Sequence, residues 1–249
     1  GGFSIALAIH IKLYPVILFI PWMVVKKFRI LIWATIGFIG LFLLETRGGT
    51  YTILWKQFLG FSGAFPQIVY TNFYRVTSIQ NMMHQTFRRL NDLMGMDLNR
   101  FSSFADFLVG TIILIIIVWF VIRLVQREKS WRALIKSNEM KDRIEWFNHQ
   151  RIYGHLMDGL LFALFISPVV WEHHYVLTIP VFLWAILTIS QSKPIRLVIS
   201  YLLILALPTF DVFPFGYLRW IGLILLTLTM SPQIYNSVNS WEITRNTNP

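Results

Sequence analysis

The chain has 249 residues, 55% of them hydrophobic and only 14% charged, with a mean hydropathy of +0.58; a soluble domain carries roughly 25% charged residues, so a water-soluble globule is excluded. The net charge of +10 sits largely in short segments between apolar runs, as at Lys26, Lys27 and Arg29, a placement that suits anionic lipid headgroups and argues against nucleic acid. The chain has no cysteine, which excludes disulfides, thiolate chemistry and Cys-ligated metals.

Only helices and closed barrels satisfy their backbone groups in lipid, and a helical crossing needs about 20 mainly apolar residues. An all-α, polytopic transmembrane protein follows, a single domain over 1–249. Gly1-Gly2-Phe3 opens the chain without Met or a basic n-region, so it does not read as a signal peptide, and the expectation is that upstream sequence has been cut away. Seven segments qualify as crossings, in order Phe3 to Val25, Ile30 to Leu44, Phe104 to Val125, Leu156 to Trp171, Tyr175 to Ser190, Ile195 to Pro208 and Tyr217 to Met230. The last two are short and extend into their flanks or tilt.

Loop charge gives the orientation. The basic turn Lys26-Lys27-Phe28-Arg29 and the stretch 126–151, with Arg127, Lys129, Arg132, Lys136, Lys141, Arg143 and Arg151, face the cytoplasm under the positive-inside rule. In 126–151, Trp131, Leu134, Ile135, Ile144, Trp146 and Phe147 alternate with charges, the pattern of a connector resting in the interface. The region 45–103 then faces outward. It is long, and broken near its start by Gly48-Gly49, Gly60, Gly63 and Pro66, and long ordered loops are usually functional.

Polar groups at membrane depth are costly and mark candidate sites. Lys12, in Ile11-Lys12-Leu13-Tyr14-Pro15, either snorkels to an interface or offers a cation to a lipid-linked phosphate. The run Ser167-Pro168-Val169-Val170-Trp171-Glu172-His173-His174-Tyr175 is the densest polar cluster on an apolar background. Adjacent histidines on a helix point about 100° apart and no third ligand stands at helical spacing, so no metal is expected. Glu172, His173 and His174 remain as proton-transfer or hydrogen-bonding groups, with Trp171 beside them; the bland alternative is an interfacial turn anchored by Trp171 and Tyr175. A third stretch, Thr77 to Leu90, carries Gln80, Asn81, Arg88 and Arg89, amides and guanidiniums suited to sugar and phosphate or simply an amphipathic surface helix. Asp158 and Asp211 are weaker candidates. No phosphate loop, Gly-x-Ser-x-Gly elbow or His-Glu-x-x-His pair occurs, which removes support for the mechanisms those motifs serve.

At these three places the sequence resembles glycosyltransferase family 87, polytopic members of the GT-C class that transfer mannose or a related sugar from a polyprenyl-phosphate donor. Ile11 to Pro15 followed by a basic turn resembles that family's lysine-to-proline helix. Ile79-Gln80-Asn81 through Arg88 is similar to its amide motif with a downstream arginine, and Ser167-Pro168 to His174 to its Ser-Pro-x-x-Trp-acid-His-His motif. The chain departs at Met82, where a Gln-Ser pair usually follows the asparagine. In the GT-C class the catalytic acid lies in the first outward loop, so the resemblance places it upstream of Gly1.

The resemblance implies transfer of a hexose from a polyprenyl-phosphate donor to a lipid or glycan acceptor at the outer face of the plasma membrane, with no cofactor. It implies that Lys12, His173 and His174 hold donor phosphate or sugar, that Glu172 orients a histidine, and that Arg88 or Arg89 assists at the headgroup. The rival function is a transporter or flippase-like protein in which Lys12 and the Glu-His-His cluster line a pathway; inverted repeats would favour it, and none is visible.

Overall fold

The computed structural model describes residues 2, 4–5, 14–48, 78–95, 98–136, 144–167, 170, 172–188, 194–206 and 214–232. Among them there are helices and no strand, so the chain is all-α as expected. It divides into two compact units, residues 1–73 and 74–249.

In the first unit a 3₁₀ turn, Tyr14–Leu18, runs into α1 (Phe19–Val24), and α2 spans Phe28–Glu45. Pro21 is tolerated because it stands in the first turn of α1, where a backbone N–H has no intrahelical acceptor. The basic turn stops α1 through Lys26, whose φ of 57° is left-handed, and Arg47 at φ 49° stops α2 likewise; this post-helix conformation usually falls to glycine. Along α2 the large side chains Ile32, Trp33, Ile36, Ile39 and Leu44 are exposed while Ala34 is fully buried. Apolar groups outward and a small residue inward is the pattern of a helix solvated by lipid.

The second unit comprises α3 (Ile79–Met94), α4 (Leu98–Lys136), α5 (Ile144–Ile166), a 3₁₀ turn (Glu172–Leu177), α6 (Thr178–Thr188), α7 (Pro194–Tyr201) continued by a π turn (Leu202–Ala206), and α8 (Gly216–Thr229). At 1.5 Å per residue α4 is about 58 Å long, nearly twice a hydrocarbon layer. Residues 126–136 are its last turns and 144–151 are the first turns of α5, so most of the expected connector is an extension of two helices that run antiparallel.

One stripe of α4 is buried: Ala105, Val109, Ile116, Phe120, then Arg123 and Arg127, then Trp131 and Leu134. The steps of three, four and, from Val109 to Ile116, seven trace one helical face. Its opposite face, including Leu114, Ile115, Val118, Val121 and Ile122, is apolar and exposed. Charge inside and hydrocarbon outside inverts the soluble arrangement and matches a lipid environment.

Aromatic rings knit the interior. Phe120 of α4 meets Phe162 and Phe165 of α5 at 5.1 and 5.9 Å, and Phe165 meets Trp220 of α8 at 5.1 Å. Helices α7 and α8 approach closely at Gly222, where an added Cβ would lie 2.7 Å from Ile204 Cγ1 and 3.0 Å from Leu203 Cβ. Hydroxyls in the helices bond back to their own carbonyls, as Thr188 to Trp184, Ser200 to Arg196 and Thr227 to Leu223 at 2.7 to 2.8 Å, which satisfies a donor where no water is at hand.

Among the described residues two helices are long and apolar enough to cross a membrane, Phe28–Glu45 and the Ser103–Lys136 stretch of α4. His174–Thr188, Pro194–Ala206 and Gly216–Thr229 are shorter apolar helices. Each of the seven expected crossings contains helix where it is described.

Candidate functional site

The amide stretch folds as α3 because Ser78 caps it: the Ser78 hydroxyl accepts from the Asn81 backbone N–H at 3.3 Å, filling one of the vacant donors of a helix start. Gly95, at φ 63°, closes the other end. Asn81 is fully buried at the first turn and Gln80 partly so, while Arg88 and Arg89, two turns on, are exposed. Against α4 the helix is held by His84 Nε2, 2.9 Å from Asp106 Oδ1, and by the edge-on rings of Phe87 and Phe104, 5.5 Å apart.

The Glu-His-His run forms the 3₁₀ turn that leads into α6. His174 is 8% exposed and Tyr175 only 1%, so the turn is pinned inward at its middle. The Thr178 hydroxyl donates to the Tyr175 carbonyl at 2.6 Å, joining turn to helix.

These two elements meet at the start of α8. Tyr217 reaches α3: its hydroxyl is 2.6 Å from that of Thr86 and donates to the Met82 carbonyl at 3.2 Å. Arg219, two residues later and buried, reaches the 3₁₀ turn, its guanidinium carbon 4.7 Å from the centre of the Tyr175 ring. A single turn of α8 therefore ties the helix of Gln80 and Asn81 to the turn of His174. Imidazole and guanidinium held in an apolar surround interact strongly with an anion, because little water competes.

Of the residues singled out from sequence, Gln80, Asn81, Arg88, Arg89 and His174 are placed as described. Lys12 and Trp171 lie outside the described residues, and for Glu172 and His173 the backbone alone is described. Among the described residues no group of three His, Cys, Asp or Glu side chains is arranged to hold a metal ion.

Tyr217 and Arg219 were not singled out from sequence. An arginine within an apolar helix is itself the signal that finds Arg219.

A second polar cluster lies toward the far end of α4, about 33 Å along the helix axis from Asp106 to Glu128. Asp158 of α5 sits between two guanidiniums: Arg123 Nη2 donates to Oδ1 and Arg127 Nη2 to Oδ2, each at 2.8 Å. Arg123 also donates to the Thr227 and Met230 carbonyls at 3.0 Å, capping the C-terminal end of α8 with positive charge where the helix dipole favours it. One turn on, Arg151 grips Glu128 through Nε at 2.6 Å and Nη2 at 2.8 Å, His155 joins at 2.9 Å, and the Arg151 guanidinium carbon lies 5.3 Å from the Trp131 ring centre. Asp158, a weak site candidate from sequence, is thus the centre of an ion-paired joint between α4 and α5, to which the end of α8 is hydrogen-bonded through Arg123.

A sequence model of glycosyltransferase family 87 matches residues 1–137, more than half of the chain. The match takes in Lys12 and all of α3 and ends one residue past α4; the Glu-His-His turn lies beyond it. No curated protein and no solved structure matches.

Proposed function

We propose, because the chain belongs to glycosyltransferase family 87, that this membrane glycosyltransferase moves a hexose, mannose first among the candidates, from a polyprenyl-phosphate donor to a lipid or glycan acceptor. The site faces the outer side of the plasma membrane in a multi-pass, GT-C-like bundle. An acceptor hydroxyl, deprotonated by a carboxylate, attacks the anomeric carbon; the bond from that carbon to the lipid-phosphate oxygen breaks, and the phosphate leaves with the electron pair.

Negative charge grows on the leaving phosphate, so groups that bind it more tightly as it departs lower the barrier. Lys12, His173 and His174 serve the phosphate or the sugar. Glu172 orients a histidine, Gln80, Asn81 and Trp171 contact the sugar, and Arg88 or Arg89 assists at the headgroup. The observation that supports this most is the joining of α3 and the 3₁₀ turn by Tyr217 and Arg219 at the start of α8, which gives two motifs far apart in sequence one common anchor.

The test is sugar transfer from polyprenyl-phosphate-mannose in membranes carrying the protein. His173→Ala and His174→Ala should each lower kcat by about a hundredfold, the typical loss of one transition-state hydrogen-bond donor. Undiminished transfer in both variants would remove the histidines from the mechanism.

A further inference from the structure

We infer that Arg219 is a positioning residue for the transfer reaction, holding the turn of His173 and His174 in place through the face of Tyr175; this rests on the reading that those histidines serve the donor. A 3₁₀ turn of six residues is weakly self-supporting, because its hydrogen bonds are poorly aligned. Histidines carried on it need an external fixture if they are to meet a developing charge without rearranging. Tyr175 directly follows them and is nearly fully buried, so its ring is the handle by which the turn is held.

Arg219 is what the ring rests against. It is 6% exposed, and its guanidinium carbon is 4.7 Å from the ring centre, inside the range in which a cation is drawn to an aromatic face, the more strongly when desolvated. Its neighbours on α8 include buried Trp220, Leu223 and Leu226, where an arginine has no place without a task. The same turn of α8 is anchored to α3 through Tyr217. The guanidinium therefore sets the spacing between the amide helix and the histidine turn.

The chain has no cysteine, so a single His173→Cys substitution places one thiol on the turn. In membranes, the rate of its modification by a small charged thiol reagent should change by about fivefold or more when Arg219→Ala is added, and by less than about twofold with Arg219→Lys, which keeps a cation over the ring. In the otherwise native enzyme, Arg219→Ala should lower kcat for polyprenyl-phosphate-mannose by about tenfold with the donor KM within about threefold, the split expected when a transition-state contact is displaced rather than donor binding lost. Tyr175→Leu, which removes the ring from the other side, should give the same split and serves if Arg219→Ala does not accumulate.

Thiol reactivity unchanged in both Arg219→Ala and Tyr175→Leu would overturn the proposal. So would a raised donor KM with kcat preserved, which would make Arg219 a binding group. If the native protein transfers no lipid-linked sugar but the thiol still responds to Arg219, the donor reading fails and the Arg219–Tyr175 fixture stands.

Discussion

Asp158 is one carboxylate shared by two guanidiniums, with side chains that are 9% exposed on its part and 5% and 4% on those of Arg123 and Arg127. Removing it leaves two buried cations, Arg123 without two of its four hydrogen bonds and Arg127 without the bond made by its Nη2. Asp158→Ala should therefore cost about 3–5 kcal/mol, the usual penalty for breaking a buried pair from one side, read as a lowered thermal midpoint in detergent micelles. A melting point equal to the native one would show that the joint carries no stability. Gly154 belongs to the same joint, since a Cβ there would overlap the Arg127 guanidinium. At this scale the sequence was legible only in part. His174 stood out as a polar group on apolar ground and Asn81 as part of an amide-rich stretch, and both are buried in the site region. Arg123 and Asp158 were visible as residue types, but they pair across 35 positions, and nothing local signals a partner at that distance.

Helix existence followed directly from apolar run length, because in lipid the backbone has almost no alternative to helix. Boundaries did not. The polar, aromatic stretch 126–151 suggested a separate interfacial connector, whereas its described parts prolong α4 and α5; Arg127 pairs with Asp158, and Glu128 with Arg151 and His155, between the two helices, while Lys129, Arg132, Lys136 and Glu145 are exposed, so part of the charge ascribed to the connector is internal. Gly222 likewise gave no advance sign of its role, since helical glycines are common in membranes and only the neighbour's position gives one a purpose. Gly222→Leu should push α7 from α8, cost about 1–3 kcal/mol as an overpacked contact, and show as accelerated proteolysis of detergent-solubilised protein; an unaltered cleavage rate would mean that α7 yields freely.

For the second unit as a whole, the two polar clusters stand toward opposite ends of α4, one where α3, the histidine turn and the start of α8 converge, the other where α4 and α5 are ion-paired and Arg123 caps the end of α8. Composition made the membrane class plain and the resemblance made the family plain, and residues 1–137 match it. The meeting of the motifs was not legible, because it depends on α8, a segment that sequence presented only as a short apolar run.

The continuity of α4 sets a rotational phase between those clusters. Each residue turns a helix by about 100°, so one alanine inserted after Leu114 would leave the His84–Asp106 contact above it in place and swing Arg123 and Arg127 about a quarter-turn away from Asp158. The insertion should destabilise the protein at least as much as Asp158→Ala, by about 3–5 kcal/mol, although it removes no side chain at all, and adding Asp158→Ala to it should cost little more, as read by thermal melting. Length along this helix is then as stringent a requirement as chemistry: the chain should tolerate substitution on the exposed apolar side of α4 and resist any change in count.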